Sequence, residues 1–131
     1  MHFGLESLSR GASYCAFCDK SPRAVNIIKQ NIEKTKFTNE SKILTLDYKK
    51  CLNELKNSNI KFDLVFLDPP YESNLIFLSL QEIIELNLLN EDALVVAETD
   101  NEDMVVEKIE KLKINIVNIK RYGRVKLLFI Q

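Results

Sequence analysis

The chain has 131 residues, 46% of them hydrophobic, so it is long enough to bury one core and too short for two ordinary domains; we expect a single domain over residues 1–131. Its 18 Lys and Arg are balanced by 19 Asp and Glu, which excludes a general basic excess of the kind that drives non-specific nucleic-acid binding. No apolar stretch approaches the roughly 20 residues that cross a bilayer, and no signal-peptide pattern opens the chain, so we expect a cytoplasmic protein with no membrane partner.

Strand-like and helix-like patterns alternate up to about Leu112, which is typical of a doubly wound α/β domain. In chain order we predict a helix tail Leu5–Arg10, a strand Ser13–Cys18, a helix from Pro22, a strand Lys42–Leu46, a helix Asp47–Lys56, a strand Phe62–Leu67, a helix Leu75–Leu89, a strand Ala93–Glu98, a helix Asn101–Lys111 and strands Ile114–Arg121 and Val125–Gln131. The last two strands are separated only by a few residues around Gly123, which predicts an antiparallel hairpin at the sheet edge.

The helix that begins at Pro22 has the clearest sequence signals. Ser21 can cap it, and proline suits its first position. Val25, Ile28 and Ile32 share one face, so this helix is expected to cover one side of a sheet.

Three cysteines and no secretory context favour reduced thiols. Cys15 and Cys18 form a Cys-x-x-Cys in a predicted strand, where residues three apart point to opposite faces. A tetrahedral zinc site needs four ligands, and Cys51 and His2 are the only other candidates. We therefore expect no metal site and buried cysteines that act as small hydrophobic residues.

Asp68-Pro69-Pro70-Tyr71 follows a buried strand and is the most informative motif. The two prolines donate no backbone N–H and keep the loop out of helix and strand, which leaves carbonyl groups free to accept. Asp68, the Pro69 carbonyl and the Tyr71 ring could bind and stack a planar exocyclic amine such as that of guanine or adenine. The alternative is a strand terminator, with Tyr71 packed over the sheet edge. The position favours binding, because ligands of parallel sheets lie outside the carboxyl ends of strands.

These motifs together resemble the class I S-adenosylmethionine-dependent methyltransferases, and more closely the RsmD type, which methylates the N2 amine of a guanine in small-subunit (16S) ribosomal RNA. The resemblance is carried by the stretch Gly4–Ala12, the turn Asp19–Ala24, the motif Asp68–Tyr71, Glu98, and Tyr122–Gly123 before the last strand. It implies a Rossmann-like sheet with helices on both faces and a C-terminal antiparallel hairpin. It further implies S-adenosyl-L-methionine as cofactor, and ribosomal RNA or a small-subunit assembly particle as partner.

The resemblance also implies which residues hold the cofactor. Asp19 corresponds to the carboxylate that accepts from the ribose hydroxyls, although it could be only a favourable charge at a helix N-terminus. Asp47 corresponds to the residue that reaches the adenine amine, and an N-cap is an equally good interpretation. Gly4 corresponds to the last glycine of the cofactor loop, with Glu6 just beyond it.

For the catalytic step, the resemblance assigns the target amine to Asp68 and Pro69, with Pro70 in the same rigid loop and Tyr71 as the stacking ring. Catalysis would then consist largely of orientation, with Asp68 favouring the charge that develops on nitrogen. Outside this loop, the basic residues near the hairpin and the first turn are candidate phosphate contacts or ordinary solvated charges. They are Lys20, Arg23, Arg121 and Arg124.

The family pattern has a first strand, a Gly-x-Gly loop and an RNA-contacting segment before the position of Gly4. We therefore expect an N-terminally truncated chain whose missing strand would lie between those ending at Cys18 and Leu67. Each unpaired buried backbone group would cost about 1–3 kcal/mol, and exposed edges would favour association.

Two other functions fit the same motifs. The amino methyltransferase could act on adenine in DNA or RNA, or on protein glutamine. Alternatively, the chain could be a catalytically silent fragment that binds RNA or a partner protein.

Overall fold

The computed structural model describes residues 2–69, 74–112 and 114–131. Backbone contacts divide the chain into two compact units, Met1–Glu54 and Leu55–Gln131, and each is described by itself.

The first unit is a two-stranded parallel sheet with helices. In chain order its elements are α1 (His2–Ser9), β1 (Cys15–Cys18), α2 (Pro22–Thr35), β2 (Ser41–Leu44) and α3 (Tyr48–Asn57), the last of which runs into the second unit. The register of β1 and β2 pairs Cys15 with Ser41 and Cys18 with Leu44.

The predicted signals of α2 are confirmed. The Ser21 hydroxyl accepts from the backbone N–H of Ala24 at 3.3 Å, and Pro22 occupies the first turn. The helix ends at Lys36, whose φ of 63° is left-handed. Ile28 and Ile32 are buried and pack with Phe17 of β1, so α2 covers this sheet as the apolar spacing predicts.

The second unit is a four-stranded mixed sheet with two α-helices. Its elements are β3 (Phe62–Leu67), α4 (Leu75–Glu85), β4 (Leu89–Thr99), α5 (Glu102–Ile109), a 3-10 turn (Glu110–Leu112), β5 (Ile116–Tyr122) and β6 (Val125–Ile130). The strand order is β3-β4-β6-β5, in which β3 and β4 are parallel and the other pairs are antiparallel. The predicted C-terminal hairpin is therefore confirmed.

One hydrophobic core holds the second unit together. It joins the inner faces of β4 and β6 to α4 and α5, and its buried members are Ile76, Leu80, Val95, Ala97, Val105, Ile109, Leu128 and Ile130. Asn101 caps α5 by accepting from the N–H of Met104 at 3.3 Å. These contacts fix the carboxyl ends of β3 and β4, where the candidate site of this unit lies.

The prediction of a helix over Leu75–Leu89 is wrong at its end. The helix stops at Glu85, because Asn87 adopts a left-handed φ of 55° and the chain then enters β4 at Leu89. Asn is one of the few residues that tolerates this conformation. The result is a strand longer than the predicted Ala93–Glu98.

Among the described residues, β1 is paired only with β2, and β3 only with β4. Each of these two strands therefore has one edge without a partner in this part of the chain. In the same ranges, the helices are all too short or too polar to span a bilayer.

Candidate functional site

Asp19 and Asp47 lie at the carboxyl edge of the first unit's sheet. Asp19 directly follows β1, and its N–H donates to the Leu44 carbonyl, the last of β2, at 3.1 Å. Asp47 follows the same end of β2 by three residues and immediately precedes α3. The two predicted cofactor carboxylates thus belong to neighbouring strand ends of one unit.

Asp19 is half-buried and takes part in the turn that leads into α2. Its Oδ1 accepts from the backbone N–H of Ser21 at 2.9 Å. An ionised carboxylate has about four acceptor positions, so this bond leaves capacity for hydroxyl donors of a ligand. The turn explains how Asp19 is held, and the ribose role stays a prediction.

Asp47 is exposed and caps α3. Its Oδ1 accepts from the N–H of Lys50 at 2.9 Å, and its carbonyl accepts from the N–H of Cys51 at the same distance. The cap interpretation is therefore observed. It does not compete with the adenine role, because the capping oxygen retains a lone pair and the second oxygen adds more acceptor capacity.

Gly4 lies inside α1, against β1. A Cβ added there would be 2.5 Å from Cε1 and 2.8 Å from Cζ of Phe17, and 3.0 Å from Sγ of Cys15. Only glycine therefore fits this approach without movement of the buried Phe17 ring. The structure gives Gly4 a packing role, and its place in a cofactor loop stays a prediction.

Asp68 and Pro69 directly follow β3, at the carboxyl end of the parallel β3–β4 pair. Asp68 keeps exposed surface, and Pro69 is half-buried. The loop is thus where ligands of parallel sheets bind. The other two residues of the predicted loop, Pro70 and Tyr71, lie outside the described residues.

The chemical partner of Asp68 is Glu98, near the end of β4. Desolvation by the surrounding protein raises the pKa of Asp68 to about 6, and a hydrogen bond to the Glu98 side chain and repulsion by its charge act in the same direction. In the sequence, Glu98 stands out only as part of the family resemblance. The contact depends on the pairing and register of two strands that are 30 positions apart, which no local pattern specifies.

The candidate phosphate contacts have different surroundings. Arg121 forms a two-point ion pair with Glu102, with Nε to Oε1 at 2.9 Å and Nη2 to Oε2 at 2.8 Å, so its charge is already compensated. Arg23 lines an open groove of about 430 Å³ together with Lys29, Asn26 and Thr45. That groove has room for a phosphate beside two basic side chains.

The prediction of buried cysteines is only partly correct. Cys51 is buried and its thiol donates to the carbonyls of Leu44 and Leu46, whereas Cys15 is half-buried and Cys18 keeps exposed surface. Desolvation raises the pKa of Cys15 to about 11. It also raises the pKa of Cys18, which is hydrogen-bonded to Cys51. These thiols are therefore poor nucleophiles near neutral pH.

Comparison with solved structures defines the class of the fold. A crystal structure titled "putative methylase HI0767", from Haemophilus influenzae, superposes with a TM-score of 0.81 at 28% identity, over 99% of this chain and 79% of that one. The fold is the Rossmann-like α/β fold of the class I methyltransferases, as the motifs predict.

The sequence comparisons identify the family. Residues 2–131 match the family described as "Conserved hypothetical protein 95", and the chain belongs to that family. It is 32% identical over 109 residues to "Putative rRNA methyltransferase YlbH" of Bacillus subtilis, covering 83% of this chain and 59% of that protein. It is 30% identical over 104 residues to "Ribosomal RNA small subunit methyltransferase D" of Haemophilus influenzae, covering 79% and 53%.

The expected resemblance to the RsmD type is thereby confirmed. The chain spans between half and three fifths of the length of these two relatives.

Proposed function

We propose that the protein transfers a methyl group from S-adenosyl-L-methionine to the exocyclic N2 amine of a guanine in small-subunit ribosomal RNA. The observation that carries the proposal is the family match over residues 2–131. It is supported by the similarity to a relative named for small-subunit ribosomal RNA. Naked RNA and an assembly particle are both candidate substrates. Such a substrate implies a cytoplasmic protein.

The two carboxylates at the sheet edge of the first unit fit the proposed cofactor. Asp19 and Asp47 follow the ends of two neighbouring parallel strands, and both retain acceptor capacity beyond the bonds to Ser21 and Lys50. Asp19 would accept from ribose hydroxyls and Asp47 from the adenine amine. When bound, the cofactor supplies an electrophilic methyl group on a sulfonium.

The residues that follow β3 would act on the target amine. The pKa of Asp68, raised to about 6, leaves its carboxylate mostly ionised at pH 7 to 8 and makes it a better proton acceptor than an ordinary aspartate. Asp68 would accept one N–H of the amine and the Pro69 carbonyl the other, which would orient the nitrogen lone pair for attack. As the N–C bond forms and the C–S bond breaks, the amine proton would pass to Asp68 or to water.

The experiment is transfer of a radiolabelled methyl group to purified small-subunit and large-subunit ribosomal RNA, each naked and as particles. We expect labelling of the small-subunit RNA, and a loss of at least 100-fold in kcat for Asp68→Asn. Asp63→Asn is the matched control, because Asp63 is an exposed carboxylate near the opposite end of the same strand. Equal activity of both variants would refute the role of Asp68, and failure of the unaltered protein to label any RNA would refute the proposed function.

A further inference from the structure

The carboxyl ends of β3 and β4 bring two acidic side chains together. The parallel ladder pairs Leu67 with Ala97, so the next residues on each strand are Asp68 and Glu98. Neighbouring strands lie about 4.8 Å apart, and residues at the same level of a parallel pair point to the same face. The side chains of Asp68 and Glu98 are therefore neighbours at this edge of the sheet, close enough for a hydrogen bond between them and for the charge of Glu98 to raise the pKa of Asp68.

Glu98 is held more firmly than Asp68. β4 is an inner strand, and Glu98 is paired with Leu127 of β6 on the other side. Its chain neighbours Ala97 and Thr99 are 0% and 1% exposed, so the backbone at Glu98 has little freedom. Asp68, in contrast, is the first residue after the end of β3 and keeps exposed surface. A contact between the two therefore joins the exposed carboxyl of Asp68 to a residue that is fixed within the sheet.

A hydrogen bond between two carboxyl groups requires a proton, because two carboxylates have only acceptors. The charged groups on the elements next to the pair do not remove this requirement. Lys126 of β6 is opposite Thr99, and its ammonium group donates to the carbonyls of Asp100 and Arg124. The nearby carboxylate of Glu102 forms an ion pair with Arg121 of β5. The two carboxyl groups can thus share one proton, which Asp68 holds more tightly than an isolated aspartate would.

We propose that Glu98 is a positioning residue, which shares a proton with the Asp68 carboxyl at low pH and so sets the pH at which Asp68 becomes able to accept the amine proton. The inference rests on the proposed function of Asp68, and it assigns to Glu98 a part in the reaction that the family resemblance leaves open. Glu98 acts through Asp68 and is not itself required to touch the RNA.

The consequence is an acid limb in the pH dependence of methyl transfer. Below about pH 6 Asp68 holds its proton and accepts poorly, because the pKa of Asp68 is raised to about 6. Replacing Glu98 by Gln removes the neighbouring charge and supplies a permanent N–H donor to the Asp68 carboxylate. Both changes favour the ionised form, so the pKa of Asp68 should fall and the acid limb should move with it.

The first test measures Asp68 directly and needs neither cofactor nor RNA. The side-chain carboxyl carbon of Asp68 is followed by NMR from pH 3 to 9 in the protein, in Glu98→Gln and in Glu91→Gln. Glu91 is the matched control, since it is an exposed glutamate in the first part of the same strand. We expect a midpoint near pH 6 in the protein and the control, and one at least one pH unit lower in Glu98→Gln. A midpoint in Glu98→Gln that equals that of the protein would overturn the inference.

The second test separates positioning from stability through kinetics. Glu98→Gln should move the acid limb of kcat to lower pH by the same amount as the NMR midpoint. Glu98→Ala, which also removes the neighbouring charge, should move it in the same direction, with little change in KM for RNA. Glu98→Asp, which keeps a carboxyl group at this position, should leave the acid limb nearer to that of the unaltered protein. A pH profile that is the same in the protein and Glu98→Gln would refute the inference even if Asp68 proves essential. If no variant methylates RNA but the NMR midpoints differ as expected, the proposed function fails and the shared proton stands.

Discussion

The close approach of Gly4 to Phe17 predicts how much stability Gly4→Ala should lose. In Gly4→Ala the new Cβ would be 2.5 Å from Cε1 of Phe17, where carbon atoms normally approach to about 3.5–4.0 Å. The ring must move by roughly 1 Å, but it is 7% exposed and packed with Ile28 and Ile32, so it has no free space to enter. Overpacking of this kind costs about 1–3 kcal/mol.

The assay is urea unfolding followed by circular dichroism, supported by thermal melts. A loss of about 1–3 kcal/mol should lower Tm by roughly 4–12 °C for a chain of this size. Phe17→Leu makes the space that the alanine needs, so the double variant should be less destabilised than the sum of the single variants by about 1 kcal/mol or more. A stability of Gly4→Ala equal to that of the parent chain, or simple additivity in the double variant, would refute the packing role of this glycine.

Three further predictions concern the two units separately. The folded pKa of Asp68, raised to about 6, lies above the unfolded value of about 4, so ionisation of Asp68 opposes folding above pH 6 and has no effect below pH 4. At pH 8 Asp68→Asn should therefore be more stable than the unaltered protein by on the order of 1 kcal/mol, once solvent screening is allowed for. At pH 3.5 the two chains should be equally stable. A variant that is less stable than the unaltered protein at pH 8 would contradict this reasoning. Asp47→Ala should lower the free energy of unfolding by about 1 kcal/mol through loss of the cap of α3, whereas Asp47→Asn keeps the cap. If Asp47 binds the adenine amine, the asparagine variant should bind S-adenosyl-L-methionine more weakly in calorimetry. Unchanged binding would show that Asp47 acts only as a cap. Leu128 is 0% exposed, so Leu128→Ala should lower the free energy of unfolding in urea by about 2–5 kcal/mol. Leu64 is 39% exposed, and Leu64→Ala should lower it by less than about 1 kcal/mol. Similar losses in the two variants would contradict the assignment of Leu128 to the core.

Local sequence signals predicted the elements whose ends are marked by local chemistry. Ser21 and Pro22 located the start of α2, and Gly123, with a φ of 61°, marked the turn of the C-terminal hairpin. Asp68 and Pro69 were correctly predicted to follow a strand, because proline cannot continue the ladder. In each case a residue acts on its own backbone, so the effect can be predicted from the sequence.

What the sequence missed depends on contacts between distant positions. The apolar pattern continues from α4 into β4, and only the left-handed conformation of Asn87 separates them. The bond between Asp68 and Glu98 requires that β3 and β4 be neighbours, parallel and in one register. The packing of Gly4 on Phe17 likewise joins two elements, so it could not be predicted from the sequence, and the place of Gly4 in a cofactor loop stays a prediction.

The most direct test of the account is to identify the methylated nucleoside. Small-subunit particles are incubated with the protein and with S-adenosyl-L-methionine that carries a trideuterated methyl group, and the RNA is then digested and examined by mass spectrometry. The account predicts the label on the N2 amine of guanosine in small-subunit RNA, and its loss with Asp68→Asn. Label on adenosine, or the absence of label from the RNA, would contradict it.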